Sequence, residues 1–171
     1  FLKRSLPEAE DIQKITDLAN EAILQTRLLI KGLIPASMEA GGLLAALEDM
    51  AATTSHSYGI ACYLHSDSID PGCDIVLANQ IFRIAQEATI NAAKHAERVI
   101  IKLNRNDQGI QLSVRDNGVG FPNKKMKSAG RGLQIMAYRA RMIDAALRIR
   151  SNRDEGGTTV TCMVPVRIQA A

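Results

Sequence analysis

Side chains capable of chemistry gather at four places in this 171-residue chain, three of them beside glycine. The first is Glu87-Ala88-Thr89-Ile90-Asn91-Ala92-Ala93-Lys94-His95-Ala96. Gln80, Glu87, Asn91 and Lys94 or His95 recur at helical intervals and line one face of a helix, while Leu77, Ile81, Ile84, Ala88 and Ala92 line another. An Asn carbonyl is a hard oxygen ligand of the kind Mg2+ accepts when it draws its other ligands from water and phosphate. A glutamate one turn earlier could orient a water or accept a proton in the same cleft. The solvated face of an ordinary helix carries the same row of polar residues.

The second place is Asp116-Asn117-Gly118-Val119-Gly120-Phe121, at the end of a predicted strand. Its glycines permit positive φ and close approach of a ligand, and an Asp there can aim its carboxylate into a pocket. A carboxylate accepts from the exocyclic amine of adenine and repels the keto oxygen of guanine. A plain Asx turn followed by glycine reads the same way. Third, Gly130-Arg131-Gly132-Leu133 opens a predicted helix, whose unpaired N–H groups and dipole suit an anion. Before it, Pro122 to Ala129 carries Lys124, Lys125 and Lys127, as either a lid over phosphates or an exposed loop. Last, Gly156-Gly157-Thr158 starts the final strand, with a hydroxyl that could point into a pocket or simply begin a strand.

The elements that must position these groups follow from periodicity. An amphipathic helix is predicted from Pro7 to Leu33, its apolar stripe running through Ile12, Ile15, Ala19, Ala22, Thr26, Leu29, Ile30 and Leu33, with Gly32 and Pro35 ending it. A second helix is predicted at Leu43 to Ala52, a strand at Gly59 to Leu64, and a third helix at Ile75 to Ala96. Val99, Ile101 and Leu103, then Ile110, Leu112 and Val114, alternate about an Asn106-Asp107-Gln108-Gly109 turn, which is a β-hairpin. A helix from Gly132 to Ile143 and strands at Leu147 to Ser151 and Thr158 to Val164 complete an α+β, two-layer sandwich with a mostly antiparallel sheet.

Composition narrows the function classes. Apolar residues make up 46% and charged residues 23%, as in ordinary globular proteins, and no run approaches the roughly 20 apolar residues that cross a bilayer. Lys and Arg outnumber Asp and Glu by 21 to 18, a net +3 too small to imply nucleic acid. Cys62, Cys73 and Cys162 have neither disulfide-framework nor zinc-site spacing, so a reducing cytoplasm is expected. The abrupt start at Phe1-Leu2-Lys3-Arg4 suggests that further sequence precedes it.

In order and spacing these motifs resemble the Bergerat ATP-binding domain shared by sensor histidine kinases, DNA gyrase and the MutL mismatch-repair proteins, over roughly Leu43 to Pro165. Glu87 to Ala96 looks like the N box, Asp116 to Gly120 the G1 box, Gly130 to Leu133 the G2 box and Gly157-Thr158 the final glycine box. The wording QEATINAAKHA and the run Gly132-Leu133-Gln134-Ile135-Met136 with Arg139 look like the nitrate-sensor and DesK-like histidine kinases. Leu28 to Pro35 is similar to the end of that class's second dimerisation helix. The resemblance implies residues 1–36 as part of a dimerisation region and 37–171 as the catalytic domain.

It implies further that Asn91 ligates Mg2+ and that Asp116 recognises the adenine of ATP. Gly118 and Gly120 would shape the adenine pocket, while Gly130 and Gly132 hold the lid near the phosphates, with Leu133 and His95 beside the nucleotide. Thr158 would assist at the adenine, Lys94 approach the phosphates, and Glu87 serve as the acid/base candidate. The γ-phosphate would pass to a histidine on a dimerisation helix and then to a response regulator receiver domain, in a homodimeric parent attached to membrane only through other segments. His56, His65 and His95 are not followed by the acidic residue that marks the acceptor, so the acceptor is expected outside this sequence. Asp144-Ala145-Ala146 stands where the class usually has a Gly-Gly turn, which leaves that turn's geometry open. Rival readings are an anti-sigma-factor-type serine kinase or other Bergerat ATPase, and a non-catalytic dimeric interaction module.

Overall fold

Strict alternation in the strands decides which way the sheet faces. Val99, Ile101 and Leu103, then Ile110, Leu112 and Val114, then Val160, Cys162 and Val164 are buried on one side, while Lys102, Arg115, Arg148 and Arg150 stand exposed. The computed structural model describes residues 36–67, 73–120, 131–152 and 156–165. The helix predicted from Pro7 to Leu33 therefore lies outside the described residues, as do Gly130 and the lysines of the 122–129 segment.

The described elements are α1 (Ala36–Tyr58), β1 (Ala61–Ser66), α2 (Ile75–Ala93), β2 (Arg98–Asn106), β3 (Gly109–Asp116), α3 (Arg131–Met142), β4 (Ala146–Ser151) and β5 (Thr158–Pro165). They form one five-stranded sheet of order β1-β2-β3-β5-β4, with β1 parallel to β2 and every other pair antiparallel. The three helices meet the sheet's apolar face through one continuous core. Leu47, Ile81, Ile84, Ile101 and Leu112 are nearly inaccessible to solvent, and each such side chain contributes roughly 1.5–3 kcal/mol by leaving water.

α1 is longer than the predicted Leu43 to Ala52. Only Gly42 leaves helical dihedrals (φ 72°, ψ −166°), so the glycine pair makes a kink instead of a start. Beyond it Leu43, Ala46, Leu47, Ala51 and Thr54 bury at intervals of three and four, and the Thr54 hydroxyl donates to the Met50 carbonyl at 2.8 Å. α2 begins where Asp74 accepts from the Leu77 N–H at 2.8 Å, an N-cap. It stops at Ala93, three residues before the predicted end. There Lys94 caps it and the chain turns into β2, whose approach is fixed by the Ala61 N–H donating to the Glu97 carbonyl at 2.9 Å. The β2–β3 turn is an Asx turn, with the Asn106 side chain accepting from the Gln108 N–H at 3.0 Å.

None of the three cysteines forms a disulfide. Burial pushes the thiols of Cys62 and Cys162 up to about 11, so both behave as small apolar core residues.

At the end of α3, Asp144 takes up the geometry that its side chain put in question. It sits at φ 54°, the left-handed region, and its N–H donates to Arg141 at 3.2 Å while the next N–H, of Ala145, reaches back to Ala140 at 2.8 Å. That pair of bonds is a Schellman cap, formed here without glycine. Left-handed backbone is unfavourable for a residue that carries a Cβ. Asp144→Gly is expected to raise stability by about 1 kcal/mol, read as a higher urea midpoint with an unchanged slope.

Candidate functional site

Asp116 is the last residue of β3, opposite Val99 of β2. Its Oδ1 accepts from the Gly118 N–H at 2.8 Å, so an Asx turn is present. The next residue locks that turn to the sheet. The Asn117 Oδ1 accepts from the N–H groups of Glu97 (3.2 Å) and Arg98 (2.8 Å), and its own N–H donates to the Arg98 carbonyl at 3.2 Å. Asp116 also lines a cavity, and its carboxylate keeps acceptor capacity beyond the bond to Gly118.

Glycines of two different motifs close around this carboxylate. Gly157 lies at φ 84°, and a Cβ there would strike the Asp116 backbone carbonyl and come within 3.0 Å of Oδ1. Gly120, at φ 71°, would put a Cβ against the Ser151 hydroxyl and 3.0 Å from the Gly157 carbonyl. The Gly156-Gly157 turn is held in turn by the Asn152 N–H, which donates to the Gly157 carbonyl at 2.9 Å. Thus the turn after β3 and the turn before β5 pack backbone on backbone, an approach that a side chain at position 157 would block.

The helical wall comes from α2 and the first turn of α3. Asn91, half-buried, donates from Nδ2 to Glu87 Oε1 at 3.1 Å one turn earlier. Gly132 packs directly on this pair: a Cβ there would collide with Glu87 Oε1 and stand 3.3 Å from Asn91 Nδ2. Gln80, predicted on the same face, belongs elsewhere. It accepts from Arg139 Nη1 at 3.0 Å, joining α2 to α3, and the neighbouring Arg83 donates to Gln86 at 3.0 Å. Burial, and then the nearby charge of Arg139, hold the Arg83 guanidinium below its ordinary value.

These walls enclose a cavity of about 390 Å3 lined by Ala88, Asn91, Ala92, Lys94, His95, Asp116, Val119, Gly120, Gly132, Leu133, Met136, Thr158 and Val160. Its size suits a small organic ligand, and its make-up of apolar walls with a few convergent polar groups is that of a ligand pocket. Of the residues expected at a site, Asn91, Lys94, His95, Asp116, Gly120, Gly132, Leu133 and Thr158 come together here. Gly118 stands behind the turn, where a Cβ would meet the His95 carbonyl. Glu87 touches two lining residues without lining the cavity itself. Sequence reasoning missed Val119, Met136 and Val160. Ala88 and Ala92, expected on the core-facing stripe of the helix, belong to the core and line the cavity as well.

Residues 77–168 match the family described as histidine kinase-, DNA gyrase B- and HSP90-like ATPase. A sensor protein NarQ homolog of Haemophilus influenzae is 33% identical over 122 residues, which cover 70% of this chain and 21% of that protein. The oxygen sensor histidine kinase NreB of Staphylococcus carnosus is 31% identical over 160 residues, covering 92% of this chain and 46% of NreB. This chain therefore spans less than half the length of either relative. Among solved structures, the histidine kinase domain of the Erythrobacter litoralis EL346 blue-light activated histidine kinase aligns with TM-score 0.60 at 22% identity, over 75% of this chain and 68% of that one. The ATP binding domain of PrrB from Mycobacterium tuberculosis aligns with TM-score 0.54 at 19% identity, over 71% of this chain and 92% of that one. At such identities the two structures speak for the fold alone.

A pair of glycine substitutions tests the backbone packing around Asp116. Gly59 and Gly157 both lie in the left-handed region, at φ 65° and 84°, but a Cβ at Gly59 meets nothing within 4 Å. Gly59→Ala should cost only the backbone strain, about 1 kcal/mol. Gly157→Ala should cost clearly more, about 2–4 kcal/mol, because the Asp116 carbonyl must also move. Urea unfolding of both variants beside the original chain measures the difference.

Proposed function

The chain belongs to the histidine kinase-, DNA gyrase B- and HSP90-like ATPase family, and from that premise we propose that it is the ATP-binding catalytic domain of a two-component sensor histidine kinase. The observation that carries the proposal is Asp116, a carboxylate fixed through one oxygen at the rim of an apolar cavity. Adenine would lie between Ala88, Ala92, Met136 and Val160, with its amine donating to the remaining Asp116 oxygen. Guanine would bring a carbonyl to the same place and be rejected. Thr158, only 7% exposed, would add a hydroxyl at the base.

The phosphates would run toward the start of α3. There Gly132, within the first turn, lines the cavity, and its N–H has no partner from the helix's own bonding pattern, so it would be free to donate to a phosphate near the positive end of the dipole. Lys94 would approach from the end of α2. Among the described residues no three His, Cys, Asp or Glu side chains cluster to hold a metal. A cation here would take the Asn91 carbonyl and fill its shell from phosphate and water, which is how Mg2+ sits beside nucleotides. When bound, Mg2+ supplies neutralisation of phosphate charge. The chain's own residues hold the base, orient the phosphates and keep water from the purine face, and positioning of this kind is the larger part of phosphoryl-transfer catalysis.

In the whole protein the γ-phosphate would pass to a histidine nitrogen on a dimerisation helix and onward to a response regulator receiver domain. The relatives named as sensor proteins and sensor kinases support this reading, as does the amphipathic pattern of Pro7 to Leu33, which suits a homodimer. A cytoplasmic setting for the domain fits cysteines that form no disulfide. No described helix is long and apolar enough to cross a membrane.

Two substitutions separate base recognition from metal binding. Asp116→Ala should leave the domain folded and weaken ATP by about tenfold to a hundredfold, the worth of a charge-assisted hydrogen bond, with GTP binding far more weakly than ATP to the original. Unchanged calorimetric affinity would remove Asp116 from the site. Asn91→Ala should keep metal-free ATP affinity and lose the tightening that Mg2+ brings. If titrations with and without Mg2+ differ as much in this variant as in the original chain, the ligand assignment is wrong.

A further inference from the structure

Building on the ATP-site reading, we infer that Glu87 is a positioning residue: its carboxylate fixes which end of the Asn91 amide is presented to the cavity. An Asn side chain can turn over and exchange its oxygen and nitrogen with almost no change of shape. The two orientations are opposite in chemistry, because the carbonyl oxygen ligates a cation and the NH2 group repels one. An ionised carboxylate has acceptors only. Glu87 Oε1, 3.1 Å from Asn91 Nδ2, therefore selects the orientation that leaves Oδ1 as the cavity-side ligand.

The surroundings of Glu87 fit this role better than proton transfer. An acid or base must reach hydrogen-bond distance of the proton it moves. Asn91 and Gly132 both line the cavity, and Glu87, which touches both, does not. Its Oε1 lies against the Cα of Gly132, in space that any side chain at position 132 would occupy. The glycine at the second residue of α3 thus gives the carboxylate the room in which it holds Asn91.

The test is calorimetric titration of the full chain with ADP, with and without Mg2+, so that ligand orientation is read without phosphoryl transfer. Glu87→Ala should bind metal-free ADP as the original does and lose about tenfold of the Mg2+-dependent tightening. Glu87→Gln, which keeps an oxygen that can accept from Asn91, should retain most of it. Gly132→Ala should push the carboxylate aside and lose the tightening too, whereas Glu87→Ala with Gly132→Ala should be no worse than Glu87→Ala alone. Those two single variants keep the inference testable should Glu87→Ala fail to fold. Full Mg2+-dependent tightening in folded Glu87→Ala, or in Gly132→Ala, would overturn the positioning role. Absence of ADP binding by the unaltered chain would overturn the nucleotide-site reading itself, and this role with it.

Discussion

Two polypeptide turns can touch backbone to backbone where one of them lacks a side chain at the point of contact, and the cavity of this protein is organised by one such contact. The turn after β3 and the turn before β5 meet at Asp116 and Gly157. Around that contact the chain commits several hydrogen bonds that serve no helix or sheet ladder: Gly118 to the Asp116 side chain, and Glu97 and Arg98 to Asn117. Their effect is to hold the Asp116 carboxylate in place through one of its oxygens. Rigid placement of this kind is what lets one hydrogen bond discriminate between bases, since a mobile carboxylate would adapt to either.

The opposite wall follows from a different economy of size. On α2 the positions facing the sheet carry Ile81, Ile84 and Ala85 and pack tightly, while Ala88 and Ala92, one and two turns further on, leave the volume that Asp116 overlooks. The helix therefore passes from core to pocket along its own length without a change of direction. Gly132 extends the logic to α3, whose first turn comes close enough to α2 to meet Glu87 and Asn91 only because it has no Cβ. Polar chemistry concentrates where the core thins, and the core elsewhere is apolar enough to hold the scaffold still.

Much of this was legible in the sequence, for reasons that differ by element. The hairpin, α2, α3 and β5 are announced by periodicities of 2 and 3.6 that burial on one face imposes, and the structure finds them within a few residues. α1 runs well beyond the expected Leu43 to Ala52, because the backbone at Gly42 kinks the helix without ending it. Asp144 left its turn undecided, because φ 54° there goes with two backbone bonds, from Asp144 to the Arg141 carbonyl and from Ala145 to the Ala140 carbonyl, that its own side chain does not announce. At the site, Asp116 and Thr158 were visible as residues with chemistry beside glycine, and Asn91 as part of a polar helix face. The diversion of Gln80 to Arg139, the withdrawal of Glu87 behind Gly132 and the apolar lining from Val119, Met136 and Val160 all arise between elements distant in sequence, and no local pattern encodes them.

The central claim is that the second Asp116 oxygen accepts from the exocyclic amine of adenine. It is tested most directly by a thermodynamic cycle between that residue and that amine: affinities of ATP and of purine riboside triphosphate, which lacks the amine, measured on the original chain and on Asp116→Ala. A direct bond predicts that the original prefers ATP by about tenfold and that the preference disappears in the variant. The same preference for ATP in both proteins would contradict it and place the recognition of the base on other residues.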